Sequence, residues 1–348
     1  MKTTISIIMF LAGLSTMTGF SSCVSDEVKK LADEVPQQDN KGYFISLDGE
    51  CGTEITDLSR AHWDEDEQNV PHFYWDSSYD EMKAFVFRNT AVLNYVTDNT
   101  YANVKITPKE DRLKCSMQIT DGLSEVFQEG DVIWAVSPIR DIAGIENSSV
   151  KFTLPDSYDY TDGHQTKTYH LKNYVLMSGV GTVRNERASI NFQIHPTIFR
   201  FRITNSDKDN LIVNSITFSG PFNNQAVLAY DEGESVTFSK TSEQYSIKVN
   251  ISEGLTILPT ESKYLYALVM PTELSDENVM FSITSNFGDK SQILVYSDVF
   301  QGKEGSADTG FKSNTYKTLN VAMKRTSVKL SGTTINGFGQ GGDCDVSL

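Results

Sequence analysis

Ile190-Asn191-Phe192-Gln193-Ile194-His195, followed after Pro196 by Phe199-Arg200-Phe201-Arg202-Ile203-Thr204, alternates apolar and polar side chains. Neighbouring side chains point to opposite faces in an extended strand, so a period of two predicts β-structure with one buried face. Strand-like runs continue outward in both directions. Upstream they are Gly42 to Leu47, Met82 to Phe87, and Asp131 to Ser137, which Pro138 closes. Downstream they are Leu211 to Phe218, Tyr245 to Val249, Tyr264 to Met270, Met280 to Ile283, Ile293 to Tyr296, Tyr316 to Val321 and Ser327 to Leu330. Turn-forming residues separate them at Asn205-Ser206-Asp207, Ser219-Gly220-Pro221, Asp231-Glu232-Gly233 and Phe287-Gly288-Asp289. Many short strands between Gly, Asn and Asp turns, with no long helical stripe, predict an all-β chain with few short helices. The expected architecture is two consecutive antiparallel β-sandwich domains.

The length of 348 residues suits about two domains. A boundary beside Pro196 divides the strands evenly, giving an N-terminal domain over 42–198 and a C-terminal domain over 199–348. The segment before residue 42 reads differently. Lys2 precedes an apolar run, Ile5 to Leu14, which is too short for a bilayer that needs about 20 apolar residues. It suits the core of a cleaved signal peptide. Gly19-Phe20-Ser21-Ser22-Cys23 then places small side chains before a thiol. Residues 1–22 are therefore expected to be a signal peptide, with Cys23 the lipid-bearing first residue of the exported chain. Residues 23–41 are polar and charged and read as a tether. Ser-Ser-Cys resembles the relaxed lipobox of Bacteroidota lipoproteins, and Val24-Ser25-Asp26-Glu27 resembles the acidic tag that sends them to the surface.

The net charge of −16 disfavours nucleic acid and anionic lipid headgroups as partners. With Cys23 lipidated, Cys51, Cys115 and Cys344 remain, an odd count that leaves one bridge of unassigned pairing or none. No GxSxG, HExxH, P-loop or GxGxxG motif occurs, and His62, His72, His164, His170 and His195 show no ligand spacing. No catalytic, cofactor-binding or metal-binding residue is expected. His195 reads as a structural histidine. Asp64-Glu65-Asp66-Glu67 lacks the spacing of a calcium loop and reads as a solvated acidic loop. His72-Phe73-Tyr74-Trp75 suits either core packing or stacking on sugars.

Several blocks together resemble the fimbrillin family, the type V pilus subunits of Bacteroidota. Ser59-Arg60-Ala61 before an acidic stretch and Trp75 is similar to that family's Thr-Arg-Ala element. Gly130 to Pro138 looks like its strand ending in Ala-x-x-Pro, and Asn173 to Gly179 stands where Asp-Leu-Met recurs. Phe192-Gln193-Ile194-His195, with Phe199-Arg200-Phe201 behind it, is similar to its Phe-x-His block. Ser59 in place of Thr, and Phe338 where a Trp is common, are departures.

The resemblance implies transthyretin-like sandwiches and a structural or adhesive role in a fimbrium, without enzymatic activity. It implies delivery to the cell outer membrane through Cys23, then cleavage by an Arg-specific surface protease at Arg60. Loss of the strand Gly42 to Leu47 would open a groove for a C-terminal strand of a neighbouring pilus subunit. Val328, Leu330, Ile335 and Phe338, within 327–348, are the candidate donor residues. A C-terminal segment packed in its own domain would favour a tip or non-polymerising role. The competing expectation is a lipid-anchored surface glycan-binding protein; a weaker one is an enzyme acting on extracellular polymers. A host or bacterial surface ligand is expected but not specified.

Overall fold

The computed structural model describes residues 42–51, 62–65, 71–75, 81–110, 114–139, 144–146, 148–162, 168–273, 278–288, 294–301, 310–325, 327–337 and 340–346. Strand dominates. Among these residues there is no α-helix, and a short 3₁₀ turn spans Tyr169–Leu171. The alternation at 190–204 becomes two strands, β13 (Arg187–Ile194) and β14 (Thr197–Asn205). Along β13 exposed and buried residues alternate throughout.

The N-terminal strands close into a ring rather than the expected open sandwich. β1 (Ser46–Cys51), β4 (Met82–Arg88), β6 (Ala102–Pro108), β7 (Lys114–Ile119), β8 (Val132–Ser137) and β12 (Met177–Thr182) join β13. Their order is β4-β6-β7-β1-β13-β12-β8, and β8 pairs back onto β4, with β5 (Ala91–Val92) at its side. Closure works because β4 has two partners. Met82 to Ala84 face β6, while Lys83 to Phe87 face β8. Closing a sheet removes its edges, where unpaired N–H and C=O groups would stand. A hairpin of β2 (His62–Glu65) and β3 (Pro71–Tyr74) accompanies the ring. Asp64 and Glu65 therefore lie in a strand, where the sequence suggested a loop.

Three further sheets follow. One runs β11 (Ser157–Tyr160), β18 (Tyr245–Ile257), β15 (Leu211–Gly220), β21 (Asn278–Phe287), β22 (Leu294–Gln301). The second runs β19 (Ser262–Val269), β14, β24 (Thr315–Lys324), β25 (Ser327–Gly337), β26 (Gln340–Val346). The third runs β17 (Glu234–Ser239), β16 (Gln225–Tyr230), β10 (Ser149–Thr153), β9 (Ile145–Glu146). β20 (Thr272–Glu273) pairs with β23 (Gly310–Phe311). β10 and β11 precede residue 198 yet pair with β16 and β18, so the ladders cross the expected boundary.

Aromatic side chains join these layers. Phe199 and Phe201 on β14 meet Phe218 on β15 at ring separations of 4.9 and 5.4 Å, bringing the two five-stranded sheets face to face. Phe222 and Phe311 extend the cluster, 5.5 Å apart. Trp134 on β8 stacks on Phe85 of β4 at 5.0 Å, and Phe87 stacks on Tyr230 of β16 at 4.5 Å. The Trp134 indole N–H donates to Glu234 on β17 at 2.8 Å, which satisfies a polar atom of a buried ring. The hairpin β16–β17 thus covers one face of β4, and Phe85, Val86 and Phe87 are all buried. Arg88 forks onto Asp131 at 2.9 and 2.8 Å, and Asp131 also accepts from the Gln128 amide at 2.8 Å.

The core also holds two neutral histidines. His195 is buried and hydrogen-bonds Ser178 Oγ at 2.6 Å. His170 Nε2 donates to the Tyr266 carbonyl at 2.8 Å, with Tyr158 and Tyr160 edge-on to its ring. Burial disfavours the imidazolium and pushes both histidines down to about 4.

Two predictions follow from this packing. Phe199→Ala removes the ring at the centre of the aromatic cluster and is expected to cost about 3–5 kcal/mol in urea unfolding. A cost below about 1 kcal/mol would place the sheet contact elsewhere. The histidines set an acid limit. Above about pH 6.5 both are neutral whether folded or unfolded. As pH falls from there toward 4, the unfolded chain takes protons that the folded chain refuses. Stability is therefore full above that window and lost within it, by up to about 3 kcal/mol per histidine. Urea midpoints at successive pH values should fall between pH 6.5 and 4, and His170→Gln with His195→Asn should flatten the slope. An unchanged slope in that double variant would show that other groups set it.

Candidate functional site

β1 sits inside the ring between β7 and β13, and its first residues overlap the run Gly42 to Leu47. It lies parallel to β13, with Leu47 opposite Ala188 and Cys51 opposite Phe192. It lies antiparallel to β7, with Leu47 opposite Met117 and Gly49 opposite Cys115. Both ladders engage at once, so β1 is the wedge that joins two otherwise separate strands. Leu47 is fully buried, Ile45 packs against the core from a partly buried position, and Asp48 is exposed with a surface ion pair to Lys109 at 3.3 Å. Such exposed pairs contribute little.

The approach to β1 is also built from backbone. Tyr43 N–H donates to the Leu123 carbonyl at 2.9 Å, and Leu123 N–H returns a bond to the Tyr43 carbonyl at 2.8 Å. Gly42 crosses Gly122 so closely that a Cβ on Gly42 would stand 2.4 Å from the Gly122 Cα. Glycine is required on both sides of that crossing. Tyr43 and Phe44 project outward, 46% and 48% exposed, with Val126 exposed nearby in sequence to Leu123. An exposed aromatic pair beside the entry of the strand is the feature that the alternating pattern alone did not reveal.

At the other end of the chain, β25 pairs antiparallel with β24, with Val328 opposite Met323, Leu330 opposite Val321 and Ile335 opposite Lys317. The register shifts between these pairs, so Ser331 faces Asn320 while Thr333 faces Leu319. Among the described residues β26 pairs with β25 alone and stands at the sheet's edge. The candidate donor residues Val328, Leu330 and Ile335 are thus held in the chain's own sheet, the arrangement expected of a tip or non-polymerising subunit. The hairpin's first residues are pinned. The Arg325 amide donates to Asp207 at 3.0 Å and the Arg325 guanidinium pairs with Asp209. The Arg325 amide holds the Asp207 carboxyl below its ordinary range, helped by the Asp209 and Lys208 amides.

The remaining expectations divide cleanly. Cys23, Arg60 and Phe338, with the signal peptide and tether, lie outside the described residues. Cys115 is buried in β7, Cys51 ends β1, and Cys344 lies in β26. Trp75 is fully buried with its ring edge-on to Phe192 at 5.3 Å, so it belongs to the core and offers no face to a sugar. Arg200, at an alternating polar position of β14, is buried as well. Its guanidinium lies over Tyr264 and Tyr316 at 4.8 and 4.9 Å, and Nε donates to Thr318 at 2.9 Å. Ser178 and His195 form a hydrogen-bonded pair, but both are sealed from solvent, which suits structure rather than nucleophilic chemistry. Among the described residues no group of three His, Cys, Asp or Glu side chains is placed to hold a metal ion. No helix among them is long and apolar enough to cross a membrane.

No protein-family profile matches the chain, and no curated protein matches it. Solved structures that it resembles are fimbrial and candidate cell adhesion proteins. A candidate cell adhesion protein from Bacteroides ovatus aligns at 12% identity and a TM-score of 0.49, over 84% of this chain and 98% of that one. One from Bacteroides uniformis aligns at 10% identity and 0.47, over 85% and 98%. The tip fimbrial protein Mfa3 from Porphyromonas gingivalis, with a C-terminal truncation, aligns at 10% identity and 0.37, over 84% and 99%.

Proposed function

We propose that this chain is a structural or adhesive subunit of a cell-surface pilus. In this reading it assembles by donor-strand exchange after proteolytic removal of its N-terminal segment. One observation carries the reading: β1 is inserted between β7 and β13 and closes the ring, and Arg60 follows β1 in the sequence. A cut at Arg60 separates β1, with everything before it, from the rest of the ring. Its departure leaves two facing rows of backbone donors and acceptors and a hole where Leu47 stood. Such a gap templates the addition of another extended segment.

The other parts fit that scheme. Cys23 carries the lipid that delivers the chain to the cell outer membrane, surface-exposed, and the same cut releases it into the fimbrium. The ring acts as the N-terminal domain and the two facing five-stranded sheets as a C-terminal β-sandwich, with β10 and β11 stitching them together. The partners are other pilus subunits, an Arg-specific surface protease and a surface ligand. No catalytic step is assigned to the chain itself.

Limited digestion with an Arg-specific protease tests this. The expected first product begins at Ala61, read by N-terminal sequencing, with the preceding fragment separating from the ring. A first cut elsewhere overturns the assignment of Arg60.

A further inference from the structure

A cleft of about 440 Å³ opens on the β12–β13 hairpin beside β1, and Asp48, Gly181, Thr182, Arg184, Arg187 and Ser189 help to line it. The hairpin does not pair along its whole length. Its ladder ends with Val180 opposite Asn191, and a bridge between Arg184 and Arg187 closes the turn. Among the described residues no ladder pair joins 181–183 to 188–190. β12 follows β8 there instead, with Gly181 opposite Ile133 and Thr182 opposite Val132. The two strands still pass close together, since a Cβ on Gly181 would stand 2.6 Å from the Ser189 carbonyl oxygen. Glycine at 181 is what permits that approach.

The turn places two cations on this cleft. Asn185 and Glu186 both take positive φ, 51° and 61°, the geometry of a tight two-residue hairpin turn. Arg184 and Arg187 are thereby set opposite each other, and both are exposed. The acids nearby are Asp48, which pairs with Lys109, Glu129, which accepts from the Asn185 amide at 3.0 Å, and the exposed Glu186. Among the described residues neither arginine has an acid partner. In a chain of net charge −16, two unpaired guanidinium groups on one cleft stand out. A guanidinium offers its N–H groups as a planar fork that matches the paired oxygens of a carboxylate, phosphate or sulfate.

The rest of the lining selects among those anions. The Asp48 carboxylate only accepts hydrogen bonds, and it repels a ligand whose charge is dense, such as free sulfate or phosphate. A ligand with one carboxylate and several hydroxyls satisfies every group. Its carboxylate meets the arginines, its hydroxyls donate to Asp48, and the exposed Thr182 and Ser189 exchange bonds with either. Ser46 pairs with Arg187, and the 48% exposed Phe44 precedes it by two residues, at most about 7 Å along the chain. An exposed ring within that reach suits the apolar face of a neighbouring sugar. The volume also falls in the range of about 300–1,000 Å³ usual for ligand pockets. We infer that the β12–β13 cleft binds an acidic sugar, a uronic acid within an oligosaccharide, with Arg184 and Arg187 on its carboxylate and Asp48 on its hydroxyls. The site is complete while β1 is in place, because Asp48 lies on β1. It therefore needs neither cleavage nor strand exchange, and it goes beyond the pilus reading by giving the surface ligand a chemical class.

Calorimetric titration of the uncut chain from residue 24, at about 0.15 M salt, tests this. The probes are trigalacturonate, a glucuronate-terminated disaccharide, the methyl ester of trigalacturonate, triglutamate and inorganic sulfate. At least one of the two acidic saccharides should bind, and the ester, triglutamate and sulfate should each bind at least about tenfold more weakly. Arg184→Gln and Arg187→Gln should each weaken saccharide binding at least about tenfold, and Asp48→Ala at least about threefold. All three positions are exposed, so urea midpoints should not move. Binding of neither acidic saccharide overturns the inference. Equal binding of the ester removes the carboxylate from the site, and equal binding of triglutamate overturns the sugar. Tighter sulfate binding by Asp48→Ala, with saccharide binding unchanged, reduces the cleft to a bare anion site and overturns the assignment of Asp48. Unchanged binding in both arginine variants places the saccharide elsewhere and overturns the cleft.

Discussion

The N-terminal half of this protein depends on one six-residue strand being hydrogen-bonded on both sides. A closed ring has no edge, and β1 is what denies β7 and β13 theirs. Each ladder bond contributes only about 0.5–1.5 kcal/mol net, because water competes for the same groups. Leaving those groups buried and unpaired costs more than the bonds gain. Closure is therefore enforced less by the attraction of β1 than by the penalty that unpaired groups on β7 and β13 would carry.

The C-terminal half is organised by the opposite kind of force. Phe199, Phe201 and Phe218 bury large rings between two sheets, and Arg200 fills its buried position by stacking between Tyr264 and Tyr316. Such packing is dense and resists change of volume. Beyond β24 it gives way to a hairpin that, among the described residues, joins the sheet through the β24 ladder, next to Arg325 and its ion pair with Asp209. The chain thus carries a rigid sandwich-like core between two peripheral elements, one wedged into a ring and one laid along an edge.

Much of this was legible in the sequence. The alternation through Phe192 and Phe201 marks β13 and β14, and the Asp231-Glu232-Gly233 turn joins β16 to β17. Other elements were not legible. β7 alternates, with Cys115, Met117 and Ile119 inward, but of those three Ile119 alone is of a type enriched in strands. β6 also alternates, with Ala102, Val104 and Ile106 buried, but its small alanine, its Asn103 and its closing Pro108 weaken the signal. Ring closure depends on β4 pairing with β8, a contact between strands far apart in the chain, and no local pattern encodes it. The burial of Arg200 could not be read either, since an arginine at a polar position looks solvent-facing until the flanking tyrosines are in place. Arg60, Cys23 and Phe338 stay where the sequence put them, as assignments from motif alone.

The placement of β1 is the most instructive difference. The apolar run suggested Gly42 to Leu47, whereas the strand runs Ser46 to Cys51. Beyond Leu47 it has aspartate, glycine, glutamate and cysteine, a poor signal by composition. It is a strand because two ladders claim it at once: β13 on one side and β7 on the other supply backbone partners from parts of the chain far away in sequence, and no local pattern encodes them.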